Sequence, residues 1–474
     1  MLLVVAVPVL GALLLPLVGR VCKSTRNGLA LLMVLASLAG SLMLIGPVMS
    51  GKVITLEFAT GFGQMMLMAD RLAVFMALVS SLVGAIIVFY SWGYIRHYEN
   101  QNEYYFLVVL FLGAMMGLVF AANLLILYIF WEITAIASWR LIGFFRSPAI
   151  ILRADKSFLV TFFGATMMLL GFIMVREQAG SWDLPAIKQA LVGHPLTNAA
   201  VAFILLGILS KSATLPLQTW LPDAGVAPSP VTALLHAAVL VKIGVYAYAR
   251  LFVVNMPLPE IWQTVVPAIA ATSALVAAGA ALLETDLKRL IAFSTISQIG
   301  FIFLGLSIGG ELALAGGLLY ILMHGVAKGG LFLCAGIVEQ NTHCKDITKL
   351  GGLIKTMPVT AIAFLICAFS VIGIPPLGGF FSKYMVIAGA AKSPHLWIVL
   401  SFVGTAFLTI IYLMRVFVMV FMGEPKTKLE TEGSPVMVWS VALLALLSIA
   451  GGLLIYYPSF FATEATRQIL GLIP

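Results

Sequence analysis

The sequence predicts an all-α fold, a polytopic membrane bundle of about fourteen transmembrane helices. Composition is the first reason: 62% of the 474 residues are hydrophobic and only 10% charged, with mean hydropathy +1.10, far from the balance of a water-soluble domain. The second is length. Apolar runs last about 20 residues, enough for a helix to cross a hydrocarbon core of about 30 Å, and they lack the period-2 alternation of a membrane barrel.

In order, the apolar segments lie at about 2–19, 28–49, 70–92, 104–121, 123–145, 157–175, 199–217, 229–253, 262–283, 290–308, 312–338, 359–388, 397–422 and 436–457. The first has no basic stretch ahead of it and no small-residue cleavage pattern, so it is expected to be a retained helix. Connections are short, and no cofactor-binding domain is expected between spans. The longest polar pieces are 178–194 and 424–433. In the former, Trp182, Leu184, Ile187 and Leu191 fit one face of a small interfacial helix. The net charge of +8 is spread over connections without interleaved aromatics, which argues against nucleic acid. Cys22, Cys334, Cys344 and Cys367 have neither CxxC spacing nor a matching histidine pattern, so neither a disulfide framework nor a metal site is expected.

Connections after odd-numbered spans are richer in Lys and Arg, among them Arg20, Lys23, Arg26, Arg146, Arg153, Lys156, Lys345, Lys349 and Lys355. The positive-inside rule puts these connections in the cytoplasm and both termini outside, in a prokaryotic cytoplasmic membrane. Two spans are expected to be broken. The seventh holds Lys211 and is interrupted at Pro216 and Pro222; the twelfth has Pro375, Pro376, Gly378 and Gly379 ahead of Lys383. Irregular backbone survives in a membrane only where protein or water satisfies it. Lys211 and Lys383 lie about 172 positions apart, and Lys242 and Arg415 about 173, a spacing that suits two five-helix repeats, the second inverted. The chain then reads as one membrane domain, 1–474, with spans 1–3 in 1–103, repeat one in 104–253, repeat two in 254–422 and span 14 in 423–474.

Seven ionisable groups are expected at membrane depth: Glu132, Lys211, His236, Lys242, His324, Lys328 and Lys383. A charge at the bilayer centre costs about 2.5–3.5 kcal/mol on insertion scales, so each is a functional candidate. A Glu132–Lys211 ion pair is the simplest arrangement that makes both tolerable. The four lysines outnumber the single acid, so they cannot all be neutralised by pairing, and a buried lysine that loses its charge is a usable proton carrier. His324 and Lys328 stand one turn apart on one helix face. Arg140 and Arg415 are expected to anchor at the interface, Asp286, Lys288 and Arg289 to be solvated, and Asp223 to cap a helix or gate a path. No nucleophile–base pair or phosphate loop is evident.

The segments FWEITAIASWRLIGF, SKSATLPLQTWLPDA, SPVTALLHAAVLVKIGVYAYAR, DLKRLIAFSTISQIGF, HGVAKGGLFLCAGIV and IGIPPLGGFFSK resemble the signature segments of the antiporter-like subunits. These are found in respiratory complex I, membrane-bound energy-converting hydrogenases and multi-subunit cation/proton antiporters. The resemblance implies fourteen helices with two inverted repeats and a water-filled polar axis. It assigns Glu132, Lys211, the His236/Lys242 and His324/Lys328 pairs and Lys383 to that axis as proton carriers, with no cofactor bound by the chain. Lys383 at a position where some members carry Glu, and a chain ending after span fourteen, favour a middle-type subunit. The expected function is a proton-translocating subunit of a redox-driven complex, complex I-like or hydrogenase-like, in which a redox change alters the Glu132–Lys211 interaction. Expected partners are other membrane subunits, a peripheral iron–sulfur or hydrogenase module, and the bilayer. The WRLIGFFR run after Glu132 resembles hydrogenase-type members; the alternative is a sodium/proton antiporter subunit without a redox partner.

Overall fold

The computed structural model describes residues 1–60, 63–393, 396–425 and 431–473, so part of the polar piece 424–433 lies outside the described residues. Twelve described helices are long and apolar enough to cross a membrane. They include α1 (Leu2–Val21), α2 (Lys23–Met49), α3 (Arg71–Tyr94), α4 (Gln101–Phe120), α5 (Leu124–Ile142) and α6 (Pro148–Ala179). After a short surface helix α7 (Leu184–Ala190) come α8 (Asn198–Lys211) and the single-turn α9 (Trp220–Asp223). The Ser229–Asn255 span begins as α10 (Ser229–Ala233), passes through a π-helical turn at Leu234–Ala238 and continues as α11 (Leu240–Tyr248). Then follow α12 (Trp262–Leu283), α13 (Leu287–Ser307), α14 (Glu311–Thr342), α15 (Pro358–Ile372), α16 (Gly378–Ala390), α17 (Leu396–Phe421), α18 (Pro435–Leu453) and α19 (Tyr456–Ile469).

Local chemistry sets many of these boundaries. Pro148, Pro358 and Pro435 open helices where a missing N–H costs nothing, and Gly180 and Gly373, with φ of 73° and 92°, close α6 and α15 in the left-handed conformation. Asp70, Asn123, Thr197 and Asp286 cap α3, α5, α8 and α13 by accepting backbone N–H bonds. The expected face of the 178–194 piece holds in α7, where Leu184, Ile187 and Leu191 are buried.

Both expected breaks are present. The seventh-span segment stops at Lys211 and resumes at Trp220 past a cis Leu215–Pro216 bond; the twelfth stops at Ile372 and resumes at Gly378 past a cis Pro375–Pro376 bond. Their lysines are not placed alike. Lys211 is the last residue before its break, whereas Lys383 is the sixth of the helix after its own, so the spacing between them does not align equivalent positions.

Two elements were not expected. Ile54–Thr60 (β1) and Gly63–Ala69 (β2) pair as an antiparallel hairpin between α2 and α3. Its residues fall between the apolar segments 28–49 and 70–92, too short a stretch to stand out beside spans of membrane length. The other is α19, cut from α18 at Leu454–Ile455, whose polar face carries Glu464 and Arg467.

The centre of the bundle is α14. Within its most apolar window 94% of residues are buried, against 33% for α1, α2 and α17, so these outer helices present Leu2, Leu10, Leu32, Met43, Leu400 and Phe407 outward. A helix apolar all round belongs in the interior of a bundle. His324 and Lys328 sit on this central element, and the turn with His236 and the helix with Lys383 pack against it, whereas Glu132 and Lys211 lie on α5 and α8.

Candidate functional site

The break in the twelfth span creates the first part of the site. A helix end leaves its last carbonyls without partners, and at α15 two of them, on Val371 and Ile372, accept from Lys383 Nζ at 2.7 and 3.4 Å. The same ammonium lies 4.5 Å from the centre of the Phe301 ring and 5.6 Å from that of Tyr320, and aromatic faces attract a desolvated cation. Lys383 is held by carbonyl dipoles and ring faces without a carboxylate.

The second part is built between the Ser229–Asn255 span and α14. Lys242 Nζ and His324 Nδ1 are 2.5 Å apart, and both residues are wholly buried. A contact this close between two basic groups requires that they share a proton or that one be neutral. His324 packs its ring against Tyr320 at 5.7 Å, and among the described residues its Nε2 has no hydrogen-bond partner.

From Tyr320 a continuous polar row extends. The Tyr320 hydroxyl donates to Gln298 Oε1 (2.6 Å), and Gln298 Nε2 donates to Thr409 Oγ1 (3.2 Å) and Tyr412 Oη (3.4 Å). Tyr412 Oη and Ser294 Oγ lie 2.9 Å apart, and Lys328 Nζ donates to Ser294 Oγ (2.7 Å) and to the Ile291 carbonyl (3.2 Å). Every one of these side chains is buried. Buried polar groups linked in this way strengthen one another at low effective dielectric.

Lys242, His324, Lys328 and Lys383 are therefore brought into one neighbourhood. Glu132 and Lys211 form a separate one. The expected direct ion pair does not close: Lys211 Nζ donates to the Trp131 carbonyl at 3.1 Å and lies 5.3 Å from the centre of its indole ring. Among the described residues Glu132 Oε1 is enclosed without a hydrogen-bond partner, and the two charges interact through space. His236 makes no direct bond to either group: it is stacked on Phe332 of α14 with ring centres 4.3 Å apart, and among the described residues neither of its nitrogens has a hydrogen-bond partner.

Several secondary expectations change. Lys288 is not solvated; it is 1% exposed and donates to Ala227 O (2.7 Å) and Glu339 (3.0 Å). Asp223 makes no capping bond but joins Lys156 (2.7 Å) to Arg289 (2.5 Å). Burial alone would raise its carboxyl; hydrogen bonds from Lys156 and Arg289 outweigh that and hold it below its ordinary value. Arg415 donates to the Leu282 and Glu284 carbonyls at the end of α12, and Arg140 pairs with Glu103 at 2.5 Å near the surface. Tyr320, Tyr412 and Thr409 went unrecognised because one hydroxyl in an apolar helix carries no signal. The Arg250–Asp70 pair was also missed, since its members lie in different spans.

A polytopic helical protein with a buried row of lysines, histidines and hydroxyls has the form of an ion-translocating membrane subunit. The chain belongs to the NADH:quinone oxidoreductase/Mrp antiporter transmembrane family, whose model matches residues 121–409; residues 63–105 match the N-terminal model of complex I chain 5. It is 33% identical, over 95% of its length, to the Na(+)/H(+) antiporter subunit A1 of Staphylococcus haemolyticus, and spans 60% of that relative. Its fold is similar to chains of the archaeal membrane-bound sulfane sulfur reductase (TM-score 0.90, 23% identity, 98% of this chain and 97% of that one). It is likewise similar to a chain of the Mrp complex from Dietzia sp. DQ12-45-1b (TM-score 0.88, 21% identity, 99% and 97%).

Proposed function

We propose that this antiporter-like subunit moves protons through the bundle, with Lys242, His324, Lys328 and Lys383 as carriers and Glu132 and Lys211 as the charge-sensitive switch that governs them. The carrying observation is the Lys242–His324 contact, with the His324 ring packed on Tyr320, and beside it the hydrogen-bonded row from Tyr320 through Gln298, Tyr412 and Ser294 to Lys328. A proton that leaves Lys328 Nζ has a hydroxyl oxygen to accept it, and one that reaches His324 can be exchanged with Lys242. Coulomb energies at low effective dielectric make each site sensitive to its neighbours' charge, so occupancy of one carrier governs release from the next. His236 would join the row from the side of Lys242.

The driving force is proposed to be cation exchange within a complex of several membrane subunits, because the relatives that share 33% identity are named Na(+)/H(+) antiporter subunits. The expected redox drive is the second reading and rests on the WRLIGFFR run. Co-purification separates them. Small membrane subunits and sodium-dependent proton movement support exchange; an iron–sulfur or nickel–iron module that must turn over supports the redox drive.

The carriers are tested in vesicles holding the assembled complex and a trapped pH dye. Lys242→Met is expected to cut proton movement at least tenfold with assembly intact. Wild-type rates in that variant would remove Lys242 from the path.

A further inference from the structure

Glu339 lies eleven residues beyond Lys328 on α14, about three turns and on the same face, and it is the hub of a cluster that the row above does not use. Its Oε2 accepts from Lys288 Nζ (3.0 Å) and Ser229 Oγ (3.1 Å), while Oε1 pairs with Lys345 Nζ at 2.9 Å. The Lys345 side chain is 35% exposed, Glu339 20% and Lys288 1%. The carboxylate thus joins a surface ammonium to a buried one.

Ser229 opens the span that carries His236 and Lys242. A Cβ placed on Gly336 would lie 2.7 Å from Tyr90 Oη and 3.0 Å from Ser229 Oγ, so both hydroxyl oxygens flank Gly336, a turn inward from Glu339, with Tyr90 donating to the Leu333 carbonyl at 2.9 Å. His236 follows Ser229 by seven residues, about 10 Å along a helix. It is wholly buried, and among the described residues both ring nitrogens are without a hydrogen-bond partner. An orphaned buried polar group is costly, and an imidazole that takes its partners in turn, as a relay does, accounts for it.

We propose that Glu339 takes up protons for the buried row from the face on which α14 ends and delivers them past Ser229 and Tyr90 to His236 and then Lys242. This rests on the translocation reading above. A hydronium gives its proton to Glu339 Oε1 and leaves as water; the carboxyl group then rotates so that this O–H points inward, the same O–H bond breaks toward the two hydroxyls and intervening water, and the carboxylate is restored. Lys345 and Lys288 keep the empty site anionic yet soluble in the protein interior.

The assembled complex in proteoliposomes tests this, with Glu339→Gln, Glu339→Asp and Lys211→Met measured side by side. Glu339→Gln is expected to slow proton movement at least tenfold and to raise its solvent deuterium isotope effect, because uptake becomes limiting; Glu339→Asp should recover at least a third of the rate. A wild-type rate in Glu339→Gln overturns the proposal, as does an aspartate variant equally slow with an unchanged isotope effect, the outcome for a purely structural ion pair. Lys211→Met active at the wild-type rate would instead sink the translocation reading. Should Glu339→Gln not assemble, Ser229→Ala leaves both ion pairs in place, and the same slowing is expected; its absence overturns the uptake route.

Discussion

Arg250 grips Asp70 with two nearly equal bonds, Nη1–Oδ2 at 2.6 Å and Nη2–Oδ1 at 2.7 Å, and its Nε donates to the Tyr246 hydroxyl at 3.0 Å. Removing one member of such a pair strands the other without solvent. Arg250→Ala is expected to cost about 3–5 kcal/mol, read as a lowered thermal midpoint in detergent. Burial alone would raise the Asp70 carboxyl, but the Arg250 charge and hydrogen bonds outweigh it and hold it below its ordinary value. A folded-state value below the unfolded one means the stabilisation is complete above about pH 4 and is lost as pH falls through the lower folded value. The stability gap between wild type and Asp70→Asn should therefore close in acid. Asp223 offers the contrast: its partners Lys156 and Arg289 have side chains 42% and 31% exposed, so Asp223→Asn should cost at most about 1 kcal/mol.

At the scale of elements, the α15–α16 break depends on glycine because the two half-helices touch. A Cβ on Gly379 would fall 1.8 Å from the Ser370 carbonyl oxygen, and one on Gly452 of α18 would fall 1.9 Å from that of Pro376. Gly379→Ala must push α16 away from the end of α15, where Lys383 finds Val371 and Ile372. The expected result is a fall in proton movement of at least tenfold together with a lower thermal midpoint. Gly404 in α17 has open space around its would-be Cβ. Gly404→Ala should leave transport unchanged and add up to about 1 kcal/mol of helix stability.

For the whole molecule, the expected topology makes a labelling prediction. Cys22 is exposed between α1 and α2, and hydrogen bonding by Thr25 lowers its thiol below the ordinary value, which favours the reactive thiolate. Cys334 and Cys367 are buried. If the basic connections face the cytoplasm, a membrane-impermeant maleimide labels Cys22 in inside-out vesicles and not in intact cells, measured in a Cys344→Ser background because half-buried Cys344 lies in a connection on the same face; Cys22→Ser then removes the signal. Labelling from outside would invert the orientation and place the Glu339 cluster on the opposite face.

Amino-acid order alone determined the membrane class, the approximate bounds of the spans, the two broken helices and the seven ionisable candidates. Each is a property of local composition: apolar length, proline and glycine within an apolar run, or a charge flanked by apolar neighbours. Pairing is different in kind. Lys242 meets His324 and not His236 on its own span, Lys211 meets the Trp131 carbonyl and not Glu132, and Lys288 is enclosed by Glu339 rather than by water. The hydroxyls of Tyr320, Tyr412 and Thr409 become parts of a row only because α13, α14 and α17 are side by side. Helix packing decides these matches, since direct hydrogen bonds act over about 3 Å and residues far apart in sequence reach that distance only after the bundle has formed.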